Sequence, residues 1–224
     1  MTQQRANSDG ITFINMESVL QKLAKEHKVF HSEAEFQFAL AWQIKSDYSD
    51  ATIRLEMPFR IDGQKTRYID IVVKYKGQQI PIELKYIKHE CICEEQKEEY
   101  VLTDHSAKDV LSYDFCKDIE RVEQYIAAHN DCEKGYCILL TNNCSYTKAS
   151  VRKSGYKAFQ VYEGETKKGE LRWGESLAKG TTEGRNNPIK LEGTYEMHWN
   201  EYSKVTANKN SQFFYNLVEI RGRL

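Results

Sequence analysis

Residues 67–86 read RYIDIVVKYKGQQIPIELKY, and this stretch decides the fold class. Two apolar runs rich in β-branched residues flank a short Lys-Gly turn, which predicts a pair of antiparallel strands. Side chains alternate along a strand, so we expect Glu83 and Lys85 on one face of a sheet and Leu84 on the other. The stretch therefore predicts a sheet that carries charged groups on an otherwise apolar surface.

Asp70 lies on the neighbouring predicted strand, so two carboxylates occupy adjacent strands. Charged side chains inside apolar strands are costly unless they are paired or bound to metal. A divalent cation resolves the repulsion between Asp70 and Glu83, and oxygen ligands suit Mg²⁺ or Mn²⁺. Lys85 can then orient or activate a water molecule, or stabilise a developing negative charge. The set fits hydrolysis of a phosphodiester bond.

A predicted helix over residues 32–44 adds a fourth polar group. Ser32 and Glu35 have the S-x-x-E spacing of a capping box, which gives Glu35 a local structural role. Glu33 shares its helical face with apolar residues at i+3, i+7 and i+11, so we expect its carboxylate at the sheet edge, in the site. A favourable interaction of Glu33 with the positive end of the helix is the alternative.

The remaining pattern predicts an α/β fold with a mixed central sheet and a β-rich C-terminal part. The further expected elements are helices over 16–27 and 107–128 and strands over 51–59, 66–75, 79–86, 136–141, 193–204 and 212–220. A strand, a crossover helix and a continuously apolar strand indicate one parallel pairing added to an antiparallel meander. The acidic segment 88–104 is predicted as a mobile excursion, and the glycine-rich segment 164–184 as a long loop.

The predicted helix over 107–128 carries Asp114, Asp118 and Arg121 at i, i+4 and i+7 on one face. Two like charges at i, i+4 are unfavourable unless a cation lies between them. Arg121 can supply that cation, or Lys85 can reach the helix across the sheet. A solvated, salt-bridged face and a supporting role beside the candidate site therefore both stay open.

Basic residues cluster after the apolar strand at 136–141. They are Lys148, Arg152, Lys153 and Lys157, followed by Lys167, Lys168 and Arg172, with Tyr146, Tyr156 and Trp173 between them. Positive charge interleaved with aromatic rings suits contact with the phosphates and bases of a nucleic acid. An ordinary surface loop is the alternative.

The composition limits the classes of protein. The chain has 224 residues, with 32 Lys and Arg against 33 Asp and Glu, so its formal net charge is −1. This length favours a single domain, with an α/β core over about 12–145 and a β-rich extension over about 146–224. Balanced charge excludes a uniformly basic, nucleic-acid-coating protein, but it averages over the acidic segment and the basic cluster.

No apolar run approaches the length of about 20 residues that a membrane-spanning helix needs, and the first residues lack the layout of a secretion signal. We therefore expect a cytoplasmic protein without a membrane partner. The six cysteines are then expected as free thiols. A structural metal held by Cys91, Cys93 and His89 is the alternative, although a second ligand pair at zinc spacing is missing.

Glu33, Asp70 and Glu83-Leu84-Lys85, with twelve residues between Asp70 and Glu83, resemble the motif of the PD-(D/E)xK nuclease superfamily. The resemblance extends to residues 31–42, 113–123, 135–142 and 195–199, which are similar to one bacterial branch of uncharacterised members, so it covers most of the chain. Ile69 stands where the proline of the motif name would be, a loose position in the superfamily.

This resemblance implies a restriction-endonuclease-like core and a divalent-metal-dependent nuclease, with DNA favoured over RNA as substrate. It implies Asp70 and Glu83 as metal ligands, helped by the Leu84 carbonyl, with Lys85 as the catalytic lysine and Glu33 as an accessory carboxylate. A catalytically silent nucleic-acid-binding or assembly module that keeps the fold is the alternative. Many nucleases of this fold act in pairs, so a homodimer stays open, although no residue marks a dimer face.

Overall fold

A computed structural model describes residues 14–61, 63, 65–150, 155–175, 179–208 and 210–222. The helices are α1 (Met16–Glu26), α2 (Glu33–Asp47), α3 (Lys108–Ala128) and the short α4 (Lys179–Thr182). The strands are β1 (Thr52–Phe59), β2 (Arg67–Tyr75), β3 (Gln78–Ile87), β4 (Cys91–Glu95), β5 (Glu98–Leu102), β6 (Lys134–Thr141), β7 (Thr166–Leu171), β8 (Ile189–Glu196), β9 (Trp199–Lys204) and β10 (Gln212–Arg221). The chain is mixed α/β, as the sequence pattern predicts.

A six-stranded sheet with the order β1-β2-β3-β6-β10-β9 forms the centre of the fold. Strands β1, β2 and β3 form the predicted antiparallel meander. Strand β6 pairs parallel to β3, from Ile82 opposite Tyr136 to Ile87 opposite Thr141, and α3 makes the crossover. The predicted parallel pairing is confirmed. Strand β10 pairs with β6, and β9 with β10, so the C-terminal strands complete the central sheet.

Apolar side chains cover both faces of this sheet. Helices α1 and α2 pack on one face, against the β3 residues Ile82, Leu84 and Tyr86. Helix α3 and the β7–β8 pair cover the other face, where Cys137 and Leu139 of β6 are fully buried. The alternation expected for β3 is therefore confirmed, and it places Glu83 and Lys85 on the α3 side.

The acidic segment 88–104 is not an excursion but a β-hairpin, formed by β4 and β5. The inward positions carry Cys91 and Cys93 on β4 and Tyr100 and Leu102 on β5, and all four are buried in the core shared with α1 and α2. The prediction failed because the run of glutamates masked this alternation. Burying one apolar face outweighs the solvation of the charged residues on the other.

The glycine-rich segment 164–184 is also more ordered than predicted, because it contains β7 and the short α4. Strand β7 pairs with β8, and the register shifts between Lys168 and Gly169. Gly169 has φ +63°, a left-handed conformation that glycine adopts without strain. A bulge of this kind lets a short strand bend over α3.

The strand predicted over 193–204 is divided into β8 and β9. Met197, between them, exchanges main-chain hydrogen bonds with the turn before β7: its N–H donates to Glu165 O at 2.8 Å, and Gly164 N–H donates to Met197 O at 2.9 Å. The chain thereby passes from pairing with β7 to pairing with β10. None of the helices in the described part of the chain is long and apolar enough to cross a membrane.

Candidate active site

Strands β2 and β3 separate at the candidate site. Their ladder runs from Tyr75 opposite Gln78 to Ile71 opposite Ile82, and it stops just before Asp70. The β1–β2 ladder also lacks a pair between Asp70 and Glu56, whose φ of +49° is unusual for a residue with a side chain. The β2–β3 pairing therefore ends before Asp70, whereas the β1–β2 pairing skips this residue and resumes at Met57 opposite Ile69.

Carboxylates take the place of the missing strand partner along β3. Asp70 Oδ2 accepts the N–H of Leu84 at 2.7 Å, and Glu33 Oε2 accepts the N–H of Tyr86 at 2.7 Å. Within a strand, the N–H and C=O of one residue point to the same side, so the Leu84 carbonyl faces the same opening. Oxygen atoms of Asp70, Glu33 and Leu84 thus border one gap in the sheet.

Helix α2 delivers Glu33 through local contacts of its first turn. Ser32 is the N-cap, and its Oγ accepts the Glu35 N–H at 3.1 Å. Glu35 turns back, as predicted, but its carboxylate accepts from the His31 N–H rather than from Ser32. Glu33 is left to bind the sheet, although the residue as a whole remains exposed.

Glu83 is the most buried carboxylate of the site, with 1% of its surface exposed. Arg121 Nη1 donates to its Oε2 at 2.8 Å, whereas its Oε1 is buried without any donor. Burial, followed by the charges of Asp118 and Asp70, raises the pKa of Glu83 well above its usual value. A buried acceptor with no donor is rare in folded proteins and needs an explanation.

The Asp70 carboxyl lies close to Glu83, and its negative charge contributes to the raised pKa of Glu83. Burial raises the pKa of Asp70 against the lowering effect of the Leu84 amide and Lys85. Two ionised carboxylates only accept hydrogen bonds, so this pair requires either a shared proton or a cation between its oxygens. The protein groups alone therefore do not neutralise this carboxylate pair, which needs a proton or a cation in addition.

Asp118 joins the two cations of the site. Its Oδ2 lies 3.0 Å from Lys85 Nζ, its Oδ1 lies 3.1 Å from Arg121 Nη1, and only 2% of its side chain is exposed. Burial acts to lower the pKa of Lys85, but Asp118 and Glu33 outweigh it and hold that pKa above its usual value. Lys85 is therefore an ammonium group that donates hydrogen bonds, not a base.

Asp114 does not reach the site. Both of its carboxylate oxygens accept from the Arg185 guanidinium, at 2.8 Å each. A separation of four residues along a helix amounts to about 6 Å, so only the part of α3 that carries Asp118 and Arg121 lies over β3. One residue of the predicted face thus forms an ordinary salt bridge, and the other two contact Lys85 and Glu83.

Gln37 is a site residue that the sequence patterns did not single out. Its Nε2 donates to the Asp70 main-chain O at 2.7 Å and to Glu56 Oε1 at 2.9 Å. Gln37 therefore links α2 to β1 and β2 at the position where the pairing of these two strands is interrupted. Its position four residues after Glu33, on the same helical face, is the signal that could have identified it.

The ionised groups of the site do not balance. Its side chains are the four carboxylates of Glu33, Asp70, Glu83 and Asp118 and the two cations of Lys85 and Arg121, a sum of −2 when all are charged. In the part of the chain that the structure describes, no set of three His, Cys, Asp or Glu side chains is arranged around a metal position. Mg²⁺ usually takes only one or two carboxylates and keeps several waters. A donorless Glu83 oxygen, Asp70 and the Leu84 carbonyl fit such an ion.

Only some residues of the predicted basic cluster are exposed to solvent. Lys148 and Lys157 are exposed, whereas Arg152 and Lys153 lie outside the described residues. Lys167 is buried, and its ammonium donates to Ala158 O at 2.9 Å and lies 3.0 Å from Glu165. Lys167 therefore stabilises the C-terminal part internally and offers no charge to a ligand.

The aromatic residues of that cluster also pack inward. Tyr146 is fully buried, and Tyr156 is half-buried. Trp173 stacks on Tyr113 with ring centroids 5.2 Å apart, and its Nε1 donates to Arg185 O at 2.8 Å. Tyr146 and Trp173 are therefore part of the packing around α3.

The alternative metal site at the hairpin is not assembled either. Cys91 and Cys93 are buried free thiols that face the core, and burial together with the neighbouring Cys91 raises the pKa of Cys93 to about 12. The His89 ring instead contacts Asp104, with Nδ1 2.7 Å from Oδ1. The hairpin thiols therefore act as small apolar residues.

Comparison with known proteins identifies no matching family model and no curated protein with significant similarity. The candidate site is therefore defined by its residues and their geometry.

Proposed function

We propose that this chain is a divalent-metal-dependent nuclease that hydrolyses phosphodiester bonds, with DNA favoured over RNA, and that its central sheet is a restriction-endonuclease-like core. One observation carries the proposal: Glu83 has a buried oxygen without a donor, beside Asp70 and Lys85, where β2 leaves β3. Burying a carboxylate this way is unfavourable for stability alone. A ligand that supplies positive charge explains why the arrangement is kept.

Asp70, Glu83 and the Leu84 carbonyl would hold Mg²⁺ or Mn²⁺. When bound, such an ion supplies Lewis-acid polarisation of a phosphoryl oxygen and a water molecule of lowered pKa. The Arg121 guanidinium holds one Glu83 oxygen in place and leaves the other without a donor. The amide of Gln37 fixes the Asp70 main chain in the same way.

Lys85 is proposed as the catalytic lysine. Its ammonium group is kept charged by Asp118, so it can donate a hydrogen bond to a phosphate oxygen or to the attacking water. Positive charge at that position stabilises the negative charge that develops in the transition state. Glu33 is an accessory carboxylate that keeps the Tyr86 amide, and with it the end of β3, in place.

Exposed Lys148 and Lys157 are proposed contacts to the nucleic acid backbone, where positive charge supplies affinity without sequence preference. A homodimer would bring two active sites to one duplex, so that both strands could be cut together. The described cysteines are free thiols, which favours a reducing cytoplasm as the setting.

Cleavage of defined substrates tests the proposal. Purified protein is incubated with supercoiled, linear, branched and single-stranded DNA and with RNA, in Mg²⁺, in Mn²⁺ and with a chelator. We expect metal-dependent cleavage of at least one DNA form and a loss of about 100-fold or more in Lys85→Ala. Glu83→Ala should lose cleavage as well. Equal activity in wild type and both variants would identify a contaminant and refute the proposal.

A catalytically silent binding or assembly module remains the second candidate. The Arg121–Glu83 and Lys85–Asp118 pairs favour it, because they satisfy part of the charge without a metal. This alternative predicts salt-sensitive DNA binding without cleavage, and no thermal stabilisation by Mg²⁺ or Mn²⁺. The same substrate panel, combined with thermal unfolding in each cation, separates the two functions.

A further inference from the structure

Asp70 and Glu33 accept main-chain N–H groups along the edge of β3 that β2 leaves unpaired, and a third side chain does the same farther along this edge. The N–H of Lys88, the residue after β3, donates to His105 Nδ1 at 3.3 Å, and the His105 N–H donates to Lys88 O at 2.9 Å. The alternate amides of this edge are thus capped by three side chains: Asp70 on Leu84, Glu33 on Tyr86 and His105 on Lys88. Two members of the row belong to the proposed active site.

The spacing of these three capping side chains along β3 matches the spacing of the phosphates in a nucleic acid strand. Alternate residues of a strand are about 7 Å apart, so the Lys88 amide lies about that far beyond the Tyr86 amide. This step is comparable to the distance between neighbouring phosphates of a nucleic acid strand. Lys88 is four residues beyond Leu84, about 13 Å along the strand, so a nucleic acid strand with its scissile phosphate at Asp70 and Glu83 can place the second phosphate from the scissile one near His105.

The free side of the His105 ring is a hydrogen-bond donor. Its Nδ1 accepts from the Lys88 N–H, so the proton of the neutral imidazole is on Nε2. Burial, together with the Lys88 ammonium, lowers the pKa of His105, which favours this neutral form. Among the described residues nothing accepts a hydrogen bond from Nε2, and the His105 residue as a whole is half-buried.

We propose that His105 is a substrate-binding residue whose Nε2–H donates a hydrogen bond to a phosphate two positions from the cleaved one. The inference rests on the proposed nuclease function, because the phosphate belongs to a nucleic acid strand that runs along the open edge of β3. It extends the site beyond the motif residues, into the segment between the β4–β5 hairpin and α3.

Three substitutions separate substrate contact from a purely structural cap. His105→Asn keeps an acceptor for the Lys88 amide and removes Nε2, His105→Ala removes both, and His105→Gln restores a donor farther from the main chain. We expect KM for short single- and double-stranded DNA to rise about 10-fold in the Asn and Ala variants, with a smaller change in kcat. The Gln variant should recover part of the lost affinity.

Thermal unfolding and a neighbouring histidine supply the controls. Only His105→Ala should lower Tm, because it alone leaves the Lys88 amide without its cap. His89→Asn should leave KM unchanged, because the His89 ring contacts Asp104 and is outside the row. Lys85→Ala, which tests the proposed function, is followed through kcat.

Two outcomes overturn the inference, and they differ in what else they refute. If wild type cleaves DNA and His105→Asn has the wild-type KM, or if only His105→Ala raises KM together with a loss of Tm, then His105 is a structural cap and the nuclease proposal stands. If wild type neither binds nor cleaves any DNA of the panel, both proposals fail.

Discussion

Glu83 and Glu123 both lie where α3 meets a strand, but their carboxylates are satisfied to different degrees. Glu123 accepts the main-chain N–H groups of Glu192 at 3.0 Å and Gly193 at 2.7 Å, and the Tyr195 hydroxyl at 2.6 Å. Glu83 has Arg121 at one oxygen and no donor at the other, although it is far more buried. The hydrogen bonds of the Glu123 carboxylate are complete, whereas one oxygen of the Glu83 carboxylate has no partner.

This difference separates a carboxylate whose hydrogen bonds are complete from a more buried one that keeps an acceptor without a donor. Glu123 lines a groove of about 870 Å³ between α3 and β8, and neither Glu83 nor Asp70 lines this groove. A saturated carboxylate contributes to stability, while a buried unsaturated one reduces it unless a ligand binds. The two residues should therefore respond to substitution in opposite ways.

The largest expected effect is on catalysis at Glu83. We expect Glu83→Gln to lower the cleavage rate about 1,000-fold or more, because an amide cannot replace a carboxylate metal ligand. Its Tm without metal should stay the same or rise, since the substitution removes a buried charge that Asp118 and Asp70 repel. Glu123→Gln is the matched control and should keep most of the activity. Comparable activity losses in both variants would remove the contrast between the two carboxylates.

Within the site, the ion pairs of Asp118 are expected to dominate stability. Asp118→Ala leaves Lys85 and Arg121 without their shared partner, and breaking such buried pairs costs about 3 kcal/mol. Asp114→Ala on the same helix removes the more exposed pair with Arg185 and should cost about 1 kcal/mol or less. Urea unfolding of both variants measures the difference. Equal losses would mean that burial of Asp118 contributes nothing.

Metal binding should distinguish the two carboxylates directly. At a free Mn²⁺ concentration about 100 times Kd, one bound ion stabilises the fold by about 2.7 kcal/mol. We expect this stabilisation in wild type and in Glu123→Gln, and not in Glu83→Gln. Thermal unfolding with and without chelator measures it. If Mn²⁺ stabilised Glu83→Gln as strongly as wild type, the ion would bind at a site that does not include Glu83.

The smallest of these effects is expected at Glu123 itself. Glu123→Ala removes the acceptor of two main-chain amides and one hydroxyl, which should cost about 2 kcal/mol of unfolding free energy. Tyr195→Phe removes one of these donors and should cost about 1 kcal/mol. A value near zero for both would show that water replaces the carboxylate at this contact.

Local sequence patterns predicted the parts of the site that depend on one segment. The two-residue period of β3 put Glu83 and Lys85 on one face, and the cap at Ser32 freed Glu33 to bind the sheet. The apolar run of β6 identified the parallel strand beside β3. The same reasoning failed at the β4–β5 hairpin, where charge concealed a two-residue period.

The contacts between distant segments could not be predicted in this way. Asp114 and Asp118 have the same local surroundings on α3, and only the position at which α3 crosses β3 sends one to Arg185 and the other to Lys85. Gln37 became a site residue because β1 and β2 do not pair at Glu56 and Asp70, the two residues that its amide contacts. Lys167 is buried because β7 packs against the turn at residues 157–159, where its ammonium group binds the Ala158 carbonyl.

The sequence by itself determined which faces of the strands and helices carry the charged groups, because side-chain direction follows from the backbone geometry of a single element. Only the tertiary structure decided which of these groups meet, which oxygen of Glu83 has no donor and where the row of caps ends at His105. Those outcomes depend on strand separation and on the crossing of α3 over the sheet. Both arise from the packing of apolar side chains that are far apart in the sequence.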